Sequence, residues 1–169
     1  MVEPRDHFEK RGMVEELLRK IPGFRGYLEQ GYRRDSDRLQ RERLVERLQA
    51  SKRALDDVAR SLADAAQIDA IPVIDRVRAR LDRLIARIRG AVEGYSGLFD
   101  LVKIDEAVLD EVYEHDMALL VDVEALLSQA ELLRGKPTES MERLPALHIA
   151  IDGIESEWNG RDDILHGLK

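Results

Sequence analysis

Between Pro72 and Tyr95 the apolar side chains Ile74, Val77, Leu81, Leu84, Ile88, Ala91 and Tyr95 recur at spacings of three and four. That spacing follows the 3.6-residue helical turn, so they share one stripe and predict an amphipathic helix over 72–95. Pro72 suits the first turn, where a missing N–H costs nothing, and Gly94 and Gly97 suit the exit. A second stripe joins Leu109, Val112, Asp116, Leu119, Val123, Leu126, Ala130 and Leu133, predicting a helix from about Asp105, its N-cap, to Leu133. An earlier helix is predicted from about Tyr32 to Asp69. Leu48, Leu55 and Leu62 stand seven apart there, with Val58, Ala59, Ala65 and Ala66 between. The last runs from about Ser140 to Trp158, with Met141, Leu144, His148, Ile151, Ile154 and Trp158 inward. Pro145 either kinks this helix or marks its start.

Short connectors make successive helices antiparallel neighbours. The expected fold is therefore all-α, an antiparallel up-down helical bundle of about four main helices with a short N-terminal helix and one long protruding helix. The expected division is 1–31 for the short helix and turn, 32–159 for the bundle, and 160–169 for a C-terminal tail. The protrusion follows from length. If the chain reverses near Ile71, Tyr95 lies level with about residue 46, leaving about a dozen earlier residues projecting by roughly 18–20 Å at 1.5 Å each. The stretch "IPGFRGYLEQGYRR", residues 21–34, reads as the bend before this helix, its glycines permitting positive φ and Pro22 fixing the entry. "GYSGLF", 94–99, repeats the same glycine–aromatic grammar at another helix end.

Composition supports long helices, with 44% hydrophobic, 36% charged and only 5% aromatic residues. The absence of cysteine excludes thiol catalysis, Cys-ligated zinc and disulfides, and it fits a reducing cytoplasm. The N-terminus lacks an apolar signal core, and no apolar run approaches the roughly 18 residues needed to span a bilayer. A soluble, cytoplasmic chain is expected.

The net charge of −7 argues against nucleic acid as a partner, but its distribution is more informative. Residues 70–99 carry 6 positive and 3 negative charges, whereas 100–134 carry 2 and 10. With adjacent helices, Arg76, Arg80, Arg83 and Arg87 would face Asp110, Glu114, Asp122 and Glu124 across a seam.

Candidate chemistry is sparse. A di-iron carboxylate bundle needs Glu-x-x-His pairs, and this chain has none. His115 has Glu111 four residues back, and His148 has Asp152 four residues on. Asp116 stands in an apolar stripe, where an unpaired carboxylate costs several kcal/mol if fully buried. It is either a ligand- or metal-handling group, helped by His115 or His148, or it pairs with an arginine or tyrosine hydroxyl and sets helix register. No phosphate cradle or nucleophile elbow is present. The sequence thus proposes no enzyme, no cofactor and no small-molecule substrate.

Surfaces are the remaining candidates. "RVRARLDRLIARIRG", 76–90, holds six arginines and would suit an anionic partner or an internally paired face. Phe24, Tyr27, Tyr32 and Leu39, with Arg76, Arg80, Arg83 and Arg87, form the expected interaction set. The segment "FEKRGMVEELLRKIPGF" could also lie on an acidic lipid surface.

The start "IPGFRGYLEQGYRRDSDRLQRERL", followed by "GYSGLFDLVKIDEAVLDEVYEHD", resembles a set of uncharacterised bacterial helical proteins, some encoded near membrane-scaffold proteins of the SPFH/band-7 type. The resemblance covers residues 21 to about 120. It implies a bundle with an accessory role beside a membrane-associated assembly and supplies no site residues. The expected function is that of a non-enzymatic interaction or scaffold protein that self-associates. Two alternatives stay open: a metal- or ligand-binding bundle, and a membrane-surface binder.

Overall fold

The computed structural model of the chain describes residues 33–91 and 106–165. Among these residues the regular structure is helical throughout. It comprises α1 (Arg33–Asp64), α2 (Ile71–Gly90), α3 (Glu106–Gly135) and α4 (Ser140–Leu165), with 3-10 turns at Ile68–Ala70 and Pro137–Glu139. The chain divides into two compact units, Met1–Glu42 and Arg43–Lys169, so the boundary falls inside α1. In the first unit Leu39 is 44% exposed, while Gln40 and Arg41 are buried. The N-terminal helix and bend expected over 1–31, with Phe24, Tyr27 and Tyr32, lie outside the described residues, as does Tyr95.

In the second unit the predicted stripes form the core. Leu48, Leu55 and Leu62 of α1 are buried with Ile74, Val77, Leu81, Leu84 and Ile88 of α2. From the other helices come Leu119, Val123, Leu126, Ala130 and Leu133, together with Leu144, Ile151, Ile154 and Trp158. Each large side chain so buried contributes on the order of 1.5–3 kcal/mol relative to exposure.

The end of α1 differs from the expectation. The helix stops at Asp64, and Ala65 and Ala66 are exposed rather than inward. Gln67 N–H donates to Leu62 O (2.8 Å) and Ala66 N–H to Ala63 O (3.0 Å), the paired closure that satisfies the last helical carbonyls. That closure requires a left-handed residue, and Ala66 takes it at φ 55. A side chain there is strained. Ala66→Gly is therefore expected to raise stability by about 0.5–1 kcal/mol, read as a higher urea midpoint at unchanged slope.

Ion pairs between helices give the arrangement. Lys52 meets Asp82 (2.6 Å) and Arg78 meets Asp56 (2.6 Å), the numbers running in opposite directions, so α1 and α2 form an antiparallel hairpin. His115 and Asp116, near the start of α3, meet Glu157 (3.1 Å) and Arg161, near the end of α4, and only four residues link the two helices, so α3 and α4 form a second. Arg47 meets Glu124 and Arg134 approaches Asp57 (3.8 Å), which sets α1 beside α3 and parallel to it. Arg80 binds Asp152 and Glu155 and Arg87 donates to Asn159, setting α2 beside and parallel to α4. The helices still alternate up and down, as two hairpins packed side by side.

This corrects the seam expected between the basic and acidic helices. Arg80 and Arg87 turn to α4, and Glu124 turns to α1. Connector length is the physical reason. Links of six residues (65–70) and four (136–139) keep their helices adjacent, whereas the fifteen residues 91–105 are long enough to cross to the opposite corner.

The last helix also differs. It runs through Pro145 and continues to Leu165, so residues 160–165 are helix rather than tail, with Arg161 and Ile164 buried. Its inward phase is Leu144, Leu147, Ile151, Ile154, Trp158 and Arg161. Met141 is exposed (60%) and His148 only half-buried, because both, although three or four residues from a buried neighbour, stand at the edge of that stripe, about 90–110° from its centre. Gly153 is exposed mid-helix, and a Cβ added there would meet nothing within 4 Å. Gly153→Ala should accordingly stabilise by about 0.5–1 kcal/mol through lower unfolded-state entropy, measurable by thermal melting.

Candidate functional site

A buried polar constellation lies where α3 and α4 pack together. Asp116 reaches it because its position continues the stripe of Leu119 and Val123, and a helix that buries those leaves Asp116 only 1% exposed. The carboxylate is met by Arg161, whose Nε donates to Asp116 Oδ1 at 2.5 Å. Arg161 is itself buried, at 2% exposure. Its guanidinium carbon stands 5.2 Å from the centroid of the Trp158 ring, a cation–π arrangement that shields the ion pair from water. One residue earlier on α3, His115 Nδ1 lies 3.1 Å from Glu157. A Cβ at Gly160 would come within 3.2 Å of His115 Cε1, so glycine allows the helices to close here.

The carboxylate is thus paired with an arginine, one of the two arrangements the sequence leaves open for Asp116. A guanidinium at hydrogen-bond distance from a buried carboxylate uses a lone pair that a metal would need. The three sequence candidates are not assembled. His115 is turned to Glu157, and His148 stands thirteen residues before Arg161 along α4, roughly 20 Å at 1.5 Å per residue. Among the described residues no group of three or more His, Asp or Glu side chains is placed to hold a metal ion.

The arginine set of α2 is only partly internal. Arg80 is held by Asp152 and Glu155; burial opposes its charge, but these hydrogen bonds outweigh it and raise its pKa further. Arg76 and Arg83 are exposed and form no ion pair among the described residues. Arg47, which the sequence did not single out, has its pKa raised by its hydrogen bond to Glu124. Arg161 was also missed because it lay beyond the expected helix end. The signal was present, since Ile151, Ile154, Trp158, Arg161 and Ile164 continue the three-and-four spacing.

Exposed large apolar residues complete the surface inventory: Ile68, Leu132, Met141 and Ile149 are 60–71% exposed. No described helix is long and apolar enough to cross a membrane. The chain matches no protein-family model, and no curated protein or solved structure matches it.

Proposed function

We propose that this chain is a non-enzymatic interaction protein of the helical-bundle type that self-associates. One observation carries the reading: the two hairpins have opposite surplus charge. Residues 43–90 hold eleven Arg and Lys against seven Asp and Glu, whereas 106–165 hold four against fifteen. Only part of this surplus is used between the hairpins, so each presents uncompensated charge outward. Such complementary faces accelerate encounter and select partners. The exposed Leu132 and Ile149 add apolar area that an interface would cover.

The polar cluster at Asp116 then serves as the fastener of the α3–α4 hairpin, keeping its outer face in shape. A place beside a membrane-bound assembly belongs to the same reading through the resemblance at residues 21 to about 120. Light scattering of the full chain tests the central claim. A mass above the monomer's 19.3 kDa that rises over tens of micromolar supports it. A strict monomer across that range, with no partner copurifying from the native host, overturns it.

A further inference from the structure

From Arg76 to Gly90, α2 holds six arginines and a single carboxylate, Asp82. Lys52 of α1 takes that carboxylate at 2.6 Å. Arg78 is engaged by Asp56 at 2.6 Å, and Arg80 by Asp152 and Glu155. Arg76 and Arg83 have no such partner among the described residues. Arg87 donates to Asn159 Oδ1, a neutral acceptor that leaves its charge uncompensated. Three cations of one helix therefore lack an anion.

These three share a face. Arg76 stands nine residues before the buried Ile85, and Arg83 nine after the buried Ile74. Nine residues at 100° each is two and a half turns, so both point away from the core. Arg87, four residues past Arg83, lies about 40° round the helix from it. They form one row, with rises of about 10.5 Å and about 6 Å between successive members. The other exposed residues of that face are Ala79, Ala86 and Gly90, too small to cover the guanidinium groups. Because α2 borders α1 and α4, α3 lies diagonally across from it. Residues 106–135 of α3 hold eight Asp and Glu against one Arg. With neighbouring axes about 8–10 Å apart, a surface resting on α2 is about 18 Å from the α3 axis, roughly two Debye lengths at physiological salt. Despite the net charge of −7, an anionic plane touching α2 is screened from the most acidic helix and meets the arginine row first.

We propose that the outer face of α2 rests on an anionic lipid surface, with Arg76, Arg83 and Arg87 meeting headgroup phosphates. A straight helix face touches a plane along its whole length, so all three reach it together. Guanidinium N–H groups pair with phosphate oxygens in a two-pronged geometry. Nucleic acid is the other extended phosphate array, but from Arg76 to Gly90 no aromatic, Asn or Gln side chain is present to stack on a base or read its edge. A headgroup layer asks only for charge. Each cation held there multiplies binding about fivefold, so the row gives about a hundredfold preference for anionic over neutral lipid. One row lies within one chain, so the contact does not depend on the self-association proposed above.

Flotation of the full chain with vesicles of phosphatidylcholine, alone or with about 30% phosphatidylglycerol, tests this at about 50 mM and about 500 mM NaCl. The chain is expected to float with the anionic vesicles at the lower salt and to lose that binding about tenfold or more at the higher. Arg76→Gln/Arg83→Gln should weaken it about thirtyfold. Arg53→Gln/Arg89→Gln removes two other exposed arginines without an ion pair among the described residues, from the α1–α2 side of the hairpin. That variant should weaken binding at most about threefold. Equal losses in the two variants overturn the row, because net charge alone then accounts for binding. Binding that survives Arg76→Gln/Arg83→Gln overturns it too, whichever other segment touches the lipid. No flotation at about 50 mM salt, or equal flotation with neutral vesicles, overturns the proposal, while light scattering reports on self-association separately. Wild type that leaves the vesicles for an added single strand of about 20 nucleotides, but not after Arg76→Gln/Arg83→Gln, makes nucleic acid the occupant and also overturns it. The four substitutions are on exposed helical positions, and far-UV circular dichroism confirms that each variant is folded.

Discussion

Arg161→Met is expected to remove about 3–5 kcal/mol of folding stability, because it leaves a carboxylate of 1% exposure without the guanidinium that now meets it. The loss lies in desolvation. Asp116 is carried out of water whether or not its partner is present, and methionine donates nothing to Oδ1. Against a typical domain stability of about 5–15 kcal/mol, the variant should unfold at markedly lower urea. A second substitution separates charge from packing. In Asp116→Leu/Arg161→Met both charges are gone and the volume is kept, so most of the loss should return. If the single variant is as stable as wild type, the ion pair is not the fastener assigned to it here.

Trp158→Ala is expected to cost a similar about 3–5 kcal/mol, by a different route. The ring is 1% exposed and is the largest fully buried side chain among the described residues, so truncation opens a cavity the helices cannot fill by small shifts. It also takes away the aromatic face beside Arg161 and admits water to the ion pair. Trp158→Ala and Arg161→Met should therefore be non-additive, the double variant losing less than the sum. Ile149→Ala, on the same helix but 71% exposed, provides the control and should change stability by at most about 0.5 kcal/mol in dilute solution. Chemical denaturation of the four proteins at one low concentration checks both expectations.

Much of the candidate site was visible as a pattern and hidden as a pairing. Asp116 stands out because a carboxylate interrupts a row of leucines and valines, which signals either a ligand or a buried partner. Its partner could not be chosen from the chain, which has many arginines and no local feature ranking Arg161 above Arg76 or Arg83. The same ambiguity misdirected the basic helix. Arg80 has acceptable carboxylates on both remaining helices, and geometry alone sends it to Asp152 and Glu155. Ala66 shows the opposite error, since alanine is a strong helix former and local preference carried the predicted helix past Asp64.

By itself the sequence determined that this protein is all-helical, where its main stripes lie, and most of the residues buried along them, Met141, His148, Ala65 and Ala66 being the exceptions. Those properties depend mainly on side chains within three or four positions of each other, which chain order contains. Only the tertiary structure decided that α2 borders α4 rather than α3, that Arg161 meets Asp116, and that the hairpins expose opposite charge. Each of these depends on the azimuth at which separate helices face one another and on where a fifteen-residue connection lets α3 begin. A repeat of three and four leaves both open, because every corner of a bundle offers a helix the same oily interior.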